Sequence, residues 1–160
     1  RYDEAMKPIT EASNVVIVAR DYAEKYTGIT DLEDACRIIH ERGALIAGIT
    51  DGANGSYFVW PDGTAYRCKP FPQETVVDTT GAGDSFHGAF LSRLATSIRQ
   101  IQLQEGTQLK PIDIVKTCKH IVLEEAAIFA SAVSALNTQG IGGRSALPSL
   151  KTALTLAGLE

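Results

Sequence analysis

The chain is poor in the features that mark several large protein classes. It has three cysteines, Cys36, Cys68 and Cys118, an odd number at wide spacing with no CxxC pair. That excludes a disulfide framework and suits a reducing compartment, so a cytoplasmic location is expected. Cys118 and His120 stand two apart on an expected helix and face different directions, which excludes a metal pair. No apolar run reaches the roughly 20 residues needed to cross a bilayer, and no membrane partner is expected. The opening Arg1-Tyr2-Asp3-Glu4 lacks the apolar core of a signal peptide. Charge of one sign is scarce too. The net charge is −4, with acids and bases scattered. No basic patch is interleaved with aromatics, so nucleic acid is not an expected partner. What remains is an ordinary globular composition, 44% hydrophobic and 21% charged over 160 residues. That is enough for one domain with a core.

Hydrophobic patterning gives an alternation of helices and strands. Arg1 to Ala12 reads as a helix, without a methionine start. Asn14 to Ala19 reads as a buried strand. Arg20 to Tyr26 looks helical and stops at Thr27-Gly28, and Asp31 can cap a second helix that ends near Arg42 and Gly43. Ala44 to Ile49 reads as a second buried strand. Asp51 to Gly55 is a turn, and Ser56 to Trp60 alternates like a strand. Pro61-Asp62-Gly63 turns the chain so that Thr64 to Lys69 returns. Thr75-Val76-Val77 is a short β-like run, and Phe86 to Ile98 is helix-like. After a polar loop from about Gln100 to Lys110, Pro111 suits the first turn of one long helix, with Ile112, Val115, Val122, Phe129 and Val133 at helical spacing. Its second half is rich in small residues (Ala126, Ala127, Ala130, Ser131, Ala132, Ser134, Ala135). Either a helix or a nucleotide packs close to it. Asn137 to Arg144 is a glycine-rich loop, and Pro148 starts a short terminal helix. Strands alternating with helices predict an α/β fold with a mostly parallel sheet.

One segment carries chemistry. In Asp78-Thr79-Thr80-Gly81-Ala82-Gly83-Asp84-Ser85-Phe86, two glycines let the backbone approach a ligand and turn N–H groups toward it. A helix starting there adds the positive end of its dipole, which makes a site for an anion, most plausibly phosphate. Asp84 sits at its edge, where a hydroxyl attacking a phosphoryl group needs a base; alternatively it only caps the helix. A dinucleotide fingerprint fails because Phe86 stands where a third glycine is needed, and a P-loop fails because Ala89-Phe90 replaces Lys-Ser/Thr. His87, three residues after Asp84, reads as a packing or solvent-facing residue, with no Ser or Cys nucleophile for it to serve.

The segment resembles D-T-x-G-A-G-D, the signature of the PfkB (ribokinase-like) family of carbohydrate and nucleoside kinases. The resemblance implies that Asp84 is the catalytic base and that Gly81, Ala82 and Gly83 form the anion hole for the transferred phosphoryl group. Thr50-Asp51-Gly52-Ala53-Asn54-Gly55 is similar to the family's T-x-G-x-x-G turn beside ATP, which implies nucleotide roles for Thr50, Gly52 and Gly55; a plain hairpin turn is the other reading. Phe71-Pro72 is similar to the pair that borders adenine in ketohexokinase-like members, so Phe71 is a nucleotide contact or a loop anchor. The family's potassium site would fall on Asp78 and Thr80, with carbonyls from the Thr138 to Arg144 loop. Otherwise Asp78 bonds its own turn.

The resemblance implies ATP-dependent transfer of a γ-phosphoryl group to a sugar hydroxyl, with magnesium as cofactor, potassium beside the anion hole, and ATP and a sugar as partners. A non-catalytic nucleotide-binding or kinase-like regulatory protein is the alternative. The fold implied is the C-terminal part of a ribokinase-like three-layer sandwich. Residues 1–160 would form one nucleotide-binding and catalytic portion, with the N-terminal substrate-binding and lid part absent. The parent is expected as a homodimer through that lid. The family's N-x-x-E motif is missing; Ala19 and Tyr22 stand at its positions, as ketohexokinase-like members also depart from it. Placement of magnesium therefore does not follow.

Overall fold

The computed structural model describes residues 2–160, with side chains from Glu4 onward. Arg1, the first residue of the expected opening helix, lies outside the described residues. The chain divides into two compact units, 1–68 and 69–160.

The first unit is a four-stranded sheet with helices. Helix α1 covers Tyr2–Ala12 and strand β1 covers Val15–Ala19, whose run of β-branched residues favours the extended backbone. Helix α2, Arg20–Thr27, closes on Gly28 in the left-handed conformation (φ 76°). Helix α3, Leu32–Glu41, is capped by the Asp31 carboxylate, which accepts from the Asp34 N–H at 3.0 Å. Strand β2, Ile46–Thr50, pairs in parallel with β1. Strands β3, Ser56–Val59, and β4, Ala65–Cys68, follow as antiparallel neighbours in the order β1-β2-β3-β4.

The sheet is therefore mixed. The parallel arrangement holds for β1 and β2, joined by the α2–α3 crossover, and the two tight turns at 51–55 and 61–64 force the antiparallel pairings. Gly48 in β2 makes the second pairing possible: a Cβ there would lie 2.6 Å from the Phe58 ring. Phe58, Trp60 and Tyr66 then stack in series, at centroid separations of 4.9 and 5.5 Å. Val16, Ala23, Leu32, Ala35, Cys36, Ile39, Ala47, Ile49 and Val59 form the core beneath α2 and α3. Burial there pushes the Cys36 thiol up to about 12, so it stays protonated.

The second unit is helical. Helix α4 covers Ala82–Glu105, longer at both ends than expected, and closes on Gly106. It begins early because Gly81 supplies the left-handed residue from which the first turn departs. It runs on because residues 99–105 are mostly good helix formers. The single long helix expected from Pro111 is two helices, α5 (Pro111–Thr117) and α6 (His120–Asn137). Cys118 and Lys119 between them are extended (ψ 155° and 145°), so Cys118 is not helical and His120 opens α6. The Thr117 hydroxyl folds back on the Asp113 carbonyl at 3.1 Å, a side-chain bond that competes with continuation. Periodicity alone missed the break because both pieces bury one face.

Helices α4 and α6 pack together along the small residues of α6, with Ala126, Ala127, Ala130 and Ala132 wholly buried. Helix α7, Leu150–Ala157, is capped by Ser149 and packs on α6. Thr75-Val76-Val77 does not form a strand. Among the described residues no strand lies beside it. Val77 and Asp78 instead donate to the Thr138 carbonyl at 2.8 and 3.1 Å, and the Val76 and Val77 side chains are exposed. No helix among the described residues is long and apolar enough to cross a membrane.

Candidate functional site

The second unit gathers most of the predicted residues around the start of α4. Gly81 is the N-cap at φ 75° and ψ 2°, and it brings no side chain to cap the helix. A Cβ on Gly81 would lie 2.6 Å from both the Cα and the carbonyl oxygen of Gly143, so the turn rests backbone to backbone on the loop after α6. Gly83 has open space where its Cβ would be. The first turn of any helix leaves N–H groups without intrahelical acceptors. Here the Ala82 N–H is bonded to the Thr79 carbonyl at 3.1 Å, so of the three expected donors it is already engaged. The next intrahelical acceptor is Gly81, whose carbonyl takes the Ser85 N–H at 2.8 Å. The N–H of Gly83, and with it that of Asp84, belong to the open part of the turn.

The Ala82 carbonyl accepts from the hydroxyls of Ser85 and Ser134, each at 2.9 Å, which ties the start of α4 to α6. The Asp84 side chain is exposed in that first turn. His87 is half-buried, with Nδ1 3.3 Å from the Gly83 carbonyl, and among the described residues no bond joins it to Asp84.

Asp78 links the turn to the following loop. Its Oδ1 accepts from the Thr80 N–H at 2.9 Å and its Oδ2 from the Gly142 N–H at 2.8 Å. These bonds favour the charged form and hold the carboxyl below its ordinary range, the Thr80 N–H contributing most, then Gly142, then the Thr80 hydroxyl. Asp78 thus bonds its own turn, and a loop 64 residues on as well. With three donors on its two oxygens, the carboxylate retains one spare lone pair. Asn137, fully buried, donates to the Gly143 carbonyl at 3.0 Å, while its Oδ1 has no partner. Sequence reasoning began the glycine-rich loop at Asn137, which instead ends α6, and gave no sign that its side chain is buried and holds the loop.

An open groove of about 420 Å³ lies in the same unit, lined by Gln73, Leu136, Lys151, Thr152, Thr155 and Leu156. The groove lies between the end of α6, the loop at Gln73 and helix α7. Phe71 is half-buried, and its carbonyl accepts from Gln73 Nε2 at 3.0 Å.

Thr50, Gly52 and Gly55 belong to the first unit. Thr50 ends β2, and its hydroxyl faces the Val18 carbonyl at 3.5 Å. Gly52 (φ 51°) opens a short 3-10 turn, Gly52–Asn54, and Gly55 (φ 94°) follows it. The Asp51 N–H donates to the Gly55 carbonyl at 2.8 Å, so the segment is also the connection between paired strands β2 and β3. The Asp51 carboxylate accepts from Arg20 at 3.2 Å and from Asn54 at 3.1 Å, a brace that sequence reasoning did not single out.

Among the described residues no three His, Cys, Asp or Glu side chains gather as a metal site.

Similarity to known proteins converges on one family. The chain is 27% identical over 158 residues to the bifunctional ribokinase/ribose-5-phosphate isomerase A of Fructilactobacillus sanfranciscensis, covering 96% of this chain and 25% of that protein. It is 33% identical over 89 residues to the cytidine kinase of Thermococcus kodakarensis, covering 56% of this chain and 32% of that one. Among solved structures, a fructokinase double mutant from Vibrio cholerae O395, with fructose, ADP and potassium ion bound, superposes with a TM-score of 0.76 at 21% identity, over 97% of this chain and 44% of that one. The aminoimidazole riboside kinase of Salmonella enterica, complexed with aminoimidazole riboside and an ATP analogue, gives 0.71 at 24% identity, over 98% and 46%. The chain spans less than half the length of each of these four proteins. It shares their ribokinase-like α/β fold. The model of the pfkB family of carbohydrate kinases matches residues 2–150, and the chain belongs to that family.

Proposed function

We propose that this chain is the nucleotide-binding and catalytic portion of an ATP-dependent phosphotransferase acting on a sugar hydroxyl. One observation carries the reading: α4 opens at a glycine that cannot cap it, with Asp84 exposed in the same turn. Donors left free and a carboxylate beside them are what an in-line phosphoryl transfer needs. Asp84 takes the proton of the attacking hydroxyl. The open N–H groups of the Gly81–Gly83 turn bind charge that develops on the phosphoryl oxygens, with Gly83 contributing more than the already bonded Ala82. Thr50, Gly52 and Gly55 bind the nucleotide through backbone that a glycine leaves uncovered. Phe71, half-buried in the loop before the turn, contacts the base.

Ala19 and Tyr22 stand at the N-x-x-E positions and offer no carboxylate, so magnesium would be held by the phosphates of the nucleotide. When bound it neutralises charge on the transferring phosphates. Asp78 and Thr80 have oxygen donors that suit potassium, which would add positive charge beside the turn. The absent N-x-x-E residues favour a second reading, a nucleotide-binding regulator that retains the fold.

Asp84→Asn separates the two. As a general base, Asp84 contributes about 10²- to 10⁴-fold, so in a full-length enzyme that also carries the sugar-binding part, turnover falls by that factor while the affinity for an ATP analogue is kept. Unchanged turnover refutes the base assignment.

A further inference from the structure

We infer, on the reading of the α4 turn as the phosphoryl site, that Ser134 is a positioning residue for the transfer. Its hydroxyl, placed on the Ala82 carbonyl from a neighbouring helix, orients and strengthens the Gly83 N–H. The Ala82 carbonyl and the Gly83 N–H are two ends of one peptide group, which is rigid and planar. Whatever holds the oxygen fixes the direction of the N–H and draws electrons away from its proton. Hydrogen bonds in series polarise one another in this way, by about 10–30% per bond.

That oxygen is held twice. The Ser85 hydroxyl donates to it at 2.9 Å from the same turn, and the Ser134 hydroxyl donates at 2.9 Å from α6, 52 residues on. Ser85 makes the local bond that a helical serine commonly makes. Ser134 does not. The hydroxyls of Thr96 and Thr155 each fold back on the carbonyl four residues earlier, at 2.9 and 3.0 Å. Ser134 has the same option on α6 and spends its one proton on α4 instead. The small residues of α6 make this reach possible. Ala127 and Ala130, wholly buried, let the two helices close until a side chain of one carbon and one oxygen spans the gap.

The other end of the peptide is placed to use what the serines supply. The Gly83 N–H belongs to the open part of the turn, and nothing lies within 4 Å of where a Gly83 Cβ would be. A ligand oxygen reaches that N–H without meeting a side chain. The Ala82 N–H, bonded to Thr79, belongs to the preceding peptide and gains nothing from the serines. The two hydroxyls therefore act on the donor that is open and not on the one already engaged. A donor fixed in advance counts most where charge develops, so the effect falls on the transferring phosphoryl group and not on the rest of the nucleotide.

The test compares wild type with Ser134→Ala and Ser134→Cys, each titrated in the presence of magnesium with ADP alone and with ADP plus fluoroaluminate, a mimic of the phosphoryl group in flight. Cysteine keeps the shape of serine and is a weak donor. Both variants are expected to bind ADP within about twofold of wild type and the fluoroaluminate complex about three- to tenfold more weakly, the worth of one ordinary hydrogen bond. In the ligand-free proteins the Gly83 amide proton is expected to move upfield in both variants, as a less polarised N–H does. A fluoroaluminate complex as tight as that of wild type, in a folded variant, overturns the inference. Full recovery in Ser134→Cys overturns it as well, since Ser134 then only fills space. Equal losses for ADP and for the fluoroaluminate complex mean general damage to the turn and overturn it too. In each of these cases wild type binds ADP and the nucleotide reading stands. Wild type that binds neither ligand removes the nucleotide reading and the inference together.

Discussion

Replacing Gly81 by alanine is the sharpest test of how the anion-binding turn is built. Two costs add. The left-handed conformation of Gly81 (φ 75°) costs an L-residue about 1–2 kcal/mol. The new Cβ would also sit 2.6 Å from the Gly143 Cα and carbonyl oxygen. Backbone cannot rotate away as a side chain can, so the overpacking cost is about 1–3 kcal/mol. The sum is about 2–5 kcal/mol, a fall in Tm of about 4–20 °C for a chain of this size. Gly83→Ala is the control. It lies two residues on, inside the helix, with no atom within 4 Å of its Cβ position. There alanine is expected to stabilise by about 0.5–1 kcal/mol, through higher helix propensity. Calorimetric melting of both variants against the parent reads the opposite signs directly. If Gly81→Ala costs no more than Gly83→Ala, the contact between the turn and Gly143 is wrong, and the account of the site fails with it.

Two further outcomes follow from the same loop. Asn137→Ala removes the donor to the Gly143 carbonyl and leaves a small cavity at a fully buried position. Unfolding in urea should show a loss of about 2–4 kcal/mol, and a loss under about 0.5 kcal/mol would refute the role of Asn137 as a support. Asp78 has a lowered folded-state pKa, so its stabilisation is fully present above the unfolded carboxylate value of about 3.9 and is lost as pH falls through the folded value. The Tm difference between wild type and Asp78→Ala should therefore be constant from neutral pH down to about 5 and shrink below about 4; a difference that persists unchanged in acid would refute it.

Local chemistry was legible in the sequence, and tertiary contacts were not. Asp31, Gly28 and the Pro61-Asp62-Gly63 turn act through their own neighbours, and each appears where its residue type demands. In the D-T-x-G-A-G-D segment the turn and the helix after it were readable as local facts, but the helix begins at Ala82 rather than Phe86, with Gly81 and not Asp84 as its N-cap. The errors came where a partner decides the outcome. Thr75-Val76-Val77 has the side chains of a strand, but its N–H groups find a single carbonyl, that of Thr138, and no ladder. The break at Cys118-Lys119 lies inside an unbroken apolar period, so pattern alone runs through it. The mixed sheet follows from two turns that were recognised singly and not carried through to the direction of the strands. The support of Gly81 by Gly143, and of Gly143 by Asn137, joins residues far apart in the chain. No single segment contains a signal for it.

The carboxylate of Asp78 has a consequence for regulation. It is a shared anchor: one of its oxygens holds the turn that begins α4, and the other holds the glycine loop beyond α6. Two segments fastened to one small group cannot be ordered independently. Whatever steadies the glycine loop steadies the turn by the same free energy, and the reverse holds with equal force. A mutation, proton or cation acting on either segment is thus felt at the other, through the two C–O bonds of one carboxylate.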